Sequence, residues 1–357
     1  MLRALLVSAW LAATGLACDA APPRPAAAGG ETRATTPIER GDEPRLRNLR
    51  KLTAGGENAE AYWSPDGSEL SFQATRDGAG CDAIYRMDAD GGRQRQVSVG
   101  AGRTTCSYIQ TDGSLIYAST HGHGPGCLEA PDRSKGYVWP LYPEMDLWAA
   151  DGDGSKARLL FASEGYDAEA TVCHRDGRIV FTSTMDGDLE LYVMERDGSG
   201  LARLTHAPGY DGGAFFSADC SKIVWRASRP TGAALDDYRA LLGRNLVRPA
   251  KLEIFVADGD GTHVRQVTDN GVANFAPYLH PDNETIIFAS NKADPKGRNF
   301  DLFTIRVDGS GEEQITFNPT FDGFPIWTHD GKRLAFASNR GNAKQGETNI
   351  FVADWVE

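Results

Sequence analysis

Along most of the chain apolar and polar positions alternate with a period of two, in short runs broken by Asp-Gly and related turns. That pattern predicts β-strands joined as hairpins. Phe321–Arg340, FDGFPIWTHDGKRLAFASNR, shows the unit most clearly: a strand ending on Trp327, a tight His329-Asp330-Gly331 turn, and a second strand, RLAFAS. Five related units precede it: AYWSPDGSELSFQATR from Ala61, SYIQTDGSLIYASTH from Ser107, TVCHRDGRIVFTSTM from Thr171, AFFSADCSKIVWRASR from Ala214 and PYLHPDNETIIFASNK from Pro277. Their turn aspartates are Asp66, Asp112, Asp176, Asp219, Asp282 and Asp330. Each unit continues with a third strand, such as LELYVMERDGSG or DLFTIRVDGSG, and the first five add a short fourth (RQVSV, ARLLF, ARLTH, RQVTD, EQITF). Six units of four antiparallel strands, none able to bury its apolar face alone, predict an all-β six-bladed β-propeller. The sixth unit stops at NIFVADW without a fourth strand, whereas Asn48–Thr53, NLRKLT, fits the fourth-strand pattern. The prediction is that this N-terminal strand completes the last blade and closes the ring, leaving no open sheet edge.

The repeated P-x-[WF]-S-P-D-G-x-x-[IL]-x-F-x-S and D-[IL]-[FY]-x-x-x-x-D-G patterns resemble the PD40 repeat of TolB-like propellers, over about Leu46 to Glu357. The resemblance implies an exported propeller acting as an interaction platform. TolB itself carries an N-terminal α/β domain that residues 19–45 are too short to form, so a role in the Tol–Pal system carries over poorly.

Ahead of the repeats, Met1–Ala17 has one positive charge and an apolar run ending in small residues, the pattern of a secretory signal. Gly15-Leu16-Ala17-Cys18 resembles a bacterial lipobox, which implies lipidation of Cys18; a plain signal peptide cut near Ala20–Ala21 is the alternative. Residues 18–45 are rich in Ala, Pro, Gly and Thr without periodicity, a composition that cannot bury enough surface to fold and therefore reads as a disordered tether. The expected organisation is signal peptide 1–17, anchor and tether 18–45, and propeller 46–357. The chain is then exported, in the periplasm or at the outer membrane, and touches a membrane through its lipid alone.

Thirty-seven basic and 49 acidic residues give a formal net charge of −12. That balance disfavours nucleic acid, which is bound by neutralising phosphates with Lys and Arg. Among the cysteines after Cys18, Cys173 and Cys220 fall at the same end of neighbouring blades, a pairing the topology permits. Cys81, Cys106 and Cys127 gather near the other end, where at most two can bond and one thiol is left; buried thiols without any bridge are the alternative for all five. Asp151-Gly-Asp-Gly-Ser and Asp258-Gly-Asp-Gly-Thr look like calcium loops but have Ala162 and Asp269 where a bidentate Glu is required.

The topology separates two faces. The Asp-Gly turns occupy one, the turn face; the starts of the inner strands and the ends of the second strands occupy the other, the mouth face. On the mouth face the sequence places Asn58, Asp167, Glu169, Asp211, Asn274 and Asp322, with Arg76 and Arg340 nearby, as a polar ring suited to a cation, an amine or a basic peptide. Both long insertions land there as well: Thr120–Met145 in blade 2, with Tyr137, Trp139 and Tyr142 as stiff aromatic surface, and Pro230–Lys251 in blade 4, with a predicted helix in DDYRALLGRN. Long loops on one face of a rigid scaffold are where binding concentrates. His121, His123 and Cys127, with Cys106, are the candidate ligands for a divalent cation such as zinc or copper; no cofactor is otherwise called for. No G-x-S-x-G elbow, H-E-x-x-H or phosphate-binding loop occurs. The expected function is a monomeric binding platform for an envelope protein, peptide or small ligand on the mouth face. The alternative is a metal-assisted propeller enzyme acting on a carbohydrate, like oligogalacturonate lyase.

Overall fold

The computed structural model describes residues 43–357 except 77, 135 and 295; residues 1–42, with the signal-like run and Cys18, lie outside the described residues. Six four-stranded antiparallel sheets form the blades. Their inner strands are Glu57–Trp63, Thr104–Ile109, Asp167–Val172, Asp211–Phe216, Asn274–Leu279 and Asp322–Trp327, for blades 1 to 6 in order. Each lies against the next, and the sixth against the first, so the ring is closed. The second strands, such as Thr285–Ser290 and Arg333–Ser338, are runs of β-branched, aromatic and small residues buried almost throughout. Sandwiched between neighbouring blades, they have no solvent face to alternate with. Trp63, Phe72, Phe181, Phe288 and Phe336 fill the spaces between blades.

The ring closes as predicted, with the strand slightly displaced. Leu46–Lys51 pairs antiparallel with Asn349–Trp355, Leu46 opposite Trp355 and Lys51 opposite Phe351. The pairing starts before Asn48 and stops before Thr53, because Thr53 does something else: its hydroxyl accepts from the Ile350 N–H (2.9 Å) and donates to Asn349 Oδ1 (3.0 Å). The same threonine latch recurs at Thr205, Thr268 and Thr316, which accept from the N–H groups of Leu191, Ile254 and Leu302 at 2.8–2.9 Å. The RLT, QVT and QIT signature is therefore a hydroxyl standing in for a ladder bond where each outer strand leaves its blade.

Blade 2 and blade 4 insertions meet. Trp139–Pro140 forms a two-stranded ribbon with Leu246–Val247. Helix α1, Ala233–Leu242, buries Tyr238 and Leu241 beside it; it starts and ends earlier than predicted, stopping at Gly243. A disulfide joins Cys81 to Cys127, tying the blade 2 insertion to blade 1, and another joins Cys173 to Cys220. Cys106 is left as a buried thiol.

Candidate functional site

Every inner strand carries a bulge near its start, where its register against the second strand shifts. An extra residue there bends the strand and re-aims a side chain. The bulged residues are Glu60, Cys106, Glu169, Gly213, Ala276 and Phe324, all with φ between 50° and 60°. Left-handed backbone costs a non-glycine residue of order 1 kcal/mol. Five of the six bear that cost, and all six line one cavity at the channel axis. Gly213 has no alternative: a Cβ there would stand 1.9 Å from Arg226 Nη1.

Two residues further along, Tyr62, Tyr108, Thr171, Phe215, Tyr278 and Ile326 form a second layer. Tyr62 lies 5.6 Å from Tyr108 and 5.8 Å from Phe215, ring centre to ring centre, and Phe215 lies 5.3 Å from Tyr278. This aromatic layer closes the channel beneath the bulge residues and makes the mouth side a blind funnel.

The funnel floor is polar. Glu60 Oε2 accepts from the Tyr62 hydroxyl (3.1 Å) and the Cys106 thiol (2.9 Å). Glu169 Oε2 accepts from Thr182 Oγ1 (2.8 Å) and the Gly213 N–H (2.9 Å), while its Oε1 is ion-paired with Arg226. Arg226 also lies over the rings of Trp139 (5.4 Å) and Tyr210 (5.5 Å), a cation–π arrangement that fixes the guanidinium. Burial pushes the Glu60 carboxyl up, with the Cys106 hydrogen bond opposing and the Glu169 charge adding. Burial, with the Glu60 charge beside it, pushes the Cys106 thiol well above its ordinary value and keeps it neutral. Burial works against charge on Arg226, but Glu169 and Tyr210 outweigh it and hold the guanidinium protonated.

Above the floor the funnel widens to about 1090 Å³. Trp139, Tyr142, Phe275, Phe300, Phe321 and Phe324 supply aromatic wall, and Arg103, Arg133, Arg248, Lys251 and Arg298 a basic rim. The paired insertions form part of that wall through Trp139 and Pro140. Tyr137 is 58% exposed, with Arg133 over its ring at 4.9 Å, and Tyr142 donates to the Glu129 carbonyl (2.9 Å).

The polar ring expected from the sequence is differently placed. Asn58, Asp167, Asp211, Asn274 and Asp322 are fully buried and bonded within the blades, not open to a ligand. Arg229 donates to both oxygens of Asp211 (2.7 and 2.9 Å), and Trp225 Nε1 donates to one of them (2.7 Å). Arg340, itself buried, bridges Asp322 and Glu43 (2.8 Å to Glu43 Oε2). Arg76 donates to Asn58 Oδ1 (2.7 Å), Asn274 Nδ2 donates to the Leu252 carbonyl (2.8 Å), and Asp167 accepts from the Ser163 N–H (2.6 Å). These are tie points between strands. Only Glu169 of the expected ring faces the funnel. Blade 3 has a longer turn, in which the Gly177 N–H bonds the Cys173 carbonyl where blade 1 bonds Gly67 to Ser64, so counting back from Asp176 reaches Ala168 between the two acidic residues. Glu60, Arg226 and Phe324 were not singled out, and Cys106 was read as a metal ligand rather than as part of the funnel floor. For all but Arg226, which lies on a second strand, the signal was present: the position two after the tie residue reads Glu, Cys, Glu, Gly, Ala, Phe, the most varied in an otherwise repetitive frame.

The suggested metal ligands are dispersed. Cys127 is in its disulfide, His121 bonds Ser119 Oγ (2.9 Å) against Trp148, His123 bonds Asp146 Oδ2 (3.0 Å), and Cys106 is at the floor. Among the described residues the one cluster of three metal-type side chains is Cys173, Asp176 and Cys220, whose sulfurs are bonded to each other.

A blind funnel in a closed six-bladed ring defines the class: a β-propeller with a pocket on one face. No protein-family model matches the chain. An uncharacterised protein of Agrobacterium fabrum is 25% identical over 254 residues, 70% of this chain and 72% of that one. A structure assigned as TolB from Agrobacterium tumefaciens superposes with a TM-score of 0.55 at 18% identity, covering 85% of this chain and 91% of its own. Oligogalacturonate lyase in complex with manganese superposes with a TM-score of 0.52 at 13% identity, covering 91% and 96%. The chain shares the TolB-like six-bladed fold.

Proposed function

We propose that this chain is an exported binding module of the PD40-repeat kind, anchored through Cys18 and working as a monomer, whose ligand or envelope partner enters the mouth-face funnel. The observation that carries the reading is the blind end. The aromatic layer leaves one opening, and both long insertions converge on it. Concave, mostly apolar pockets with a few convergent polar groups are the usual form of a ligand site. Native mass spectrometry of the full chain after exposure to an envelope extract tests it. A species bound by the parent and by Asp66→Ala should be lost in Trp139→Ala; retention in Trp139→Ala and loss in Asp66→Ala contradicts it.

The carbohydrate-enzyme alternative draws on the likeness to oligogalacturonate lyase. The dispersal of His121, His123 and Cys127 weighs against it; stoichiometric metal in the purified protein together with oligogalacturonide cleavage would favour it.

A further inference from the structure

We infer that the funnel floor receives a primary ammonium group, presented by a chain whose flanking residues are acidic. This rests on the funnel being the working surface and adds the chemistry of what enters. Three observations support it. The first is the balance of groups: two carboxyls, Glu60 and Glu169, share the floor with a single guanidinium, Arg226, and a cation entering there would favour the ionised form of Glu60 against its burial. Glu169 is fully engaged by Arg226, Thr182 and Gly213. Glu60 uses only Oε2, so among the described residues Oε1 has no hydrogen-bond partner and the carboxylate no ion pair.

The second observation is room. The cavity of about 30 Å³ at the floor has room for a small polar group. An ammonium group fits that space. The stem behind it would run past Phe324 and Phe275, whose rings line the funnel above the floor and offer apolar contact.

The third observation is the reversal of charge with height. Over an acidic floor stand Arg103, Arg133, Arg248, Lys251 and Arg298, five cations against one further carboxylate, the exposed Glu57. Arg103 is paired with Asp82, and Arg248 lies 3.6 Å from Asp237. Arg133, Lys251 and Arg298 have no ion pair among the described residues and are exposed. A ligand with its amine inward and carboxylates outward meets both charges. A wholly basic peptide is repelled by the rim, and a wholly acidic one by the floor.

Two sources present such a group: the N-terminus of an acidic peptide or a lysine side chain in one. Isothermal titration of the full chain with three tetrapeptides separates them: Gly-Ala-Glu-Glu, its N-acetylated form, and N-acetyl-Lys-Ala-Glu-Glu. One of the two amine-bearing peptides should bind at least ten-fold tighter than N-acetyl-Gly-Ala-Glu-Glu, and which one does identifies the source. Glu60→Gln should abolish that difference, and in the parent the difference should shrink as the pH falls and Glu60 is protonated. Arg298→Glu should weaken all three peptides while leaving their ratios intact. The inference is overturned if the three peptides bind alike, if none binds, or if Glu60→Gln keeps the preference. The ratio measured on the parent decides the matter even if Glu60→Gln folds poorly. If none binds while an envelope ligand is still lost in Trp139→Ala, the funnel reading stands and the ammonium falls.

Discussion

At the scale of single residues, the charges easiest to find in the sequence are structural, and those facing the funnel were hidden. Asp322 and Arg340 stand out because they recur at fixed places in the repeat, and a recurring place is where a blade needs the same tie. Removing one partner of a buried, hydrogen-bonded pair typically costs 3–5 kcal/mol. Asp322→Ala should therefore destabilise the fold by about that much, where the sequence alone had suggested a change in binding; a melting curve within a degree of the parent would contradict this. Nearby Asp301 is buried with one oxygen unpartnered, and burial, reinforced by Asp322 and Glu43, pushes its carboxyl up to about 7. A folded-state value raised above the unfolded one means that the folded chain holds the extra proton. Its contribution to stability is complete below about pH 4 and lost as the pH rises through 7. Asp301→Asn should flatten the fall in melting temperature between pH 4 and 8 and melt above the parent at pH 8. An unchanged slope would sink this.

Secondary-structure elements were the most legible scale. Period-two alternation and Asp-Gly turns gave every blade, because hairpin geometry demands those residues. Bulges left no such mark. Glu60, Cys106, Glu169, Ala276 and Phe324 adopt positive φ without being Gly or Asn, and one extra residue reverses which side chains face the channel. The closing strand was visible because its fourth-strand signature stood at the wrong end of the chain. Deleting Leu46–Lys51 exposes one edge of Asn349–Trp355 and removes the Thr53 latch's neighbour in the blade. We expect aggregation or a non-cooperative melt; a deletion that melts like the parent would overturn the closure.

For the whole molecule, the joining of the two insertions was the least legible feature: Trp139–Pro140 and Leu246–Val247 are too short to signal a strand and are paired only by the ring's geometry. The two disulfides divide along the same lines. Cys173–Cys220 spans 47 residues of sequence between neighbouring turns, and a loop of that size corresponds to about 4 kcal/mol in the chain-entropy account. Replacing both with Ser should lower stability by up to that amount and leave binding alone. Cys127→Ser should instead weaken binding, because it releases an insertion that walls the funnel; equal effects from the two changes would refute this division of roles. The most direct test of the funnel as working surface is a hydrogen–deuterium exchange footprint of the full chain with and without the envelope fraction that it retains. Protection should fall on the bulged starts of the inner strands around Glu60, Cys106 and Glu169, and on the Trp139 and Leu246 ribbon. Protection confined to the turns around Asp66, Asp219 and Asp282 would place the ligand on the opposite face and contradict the account.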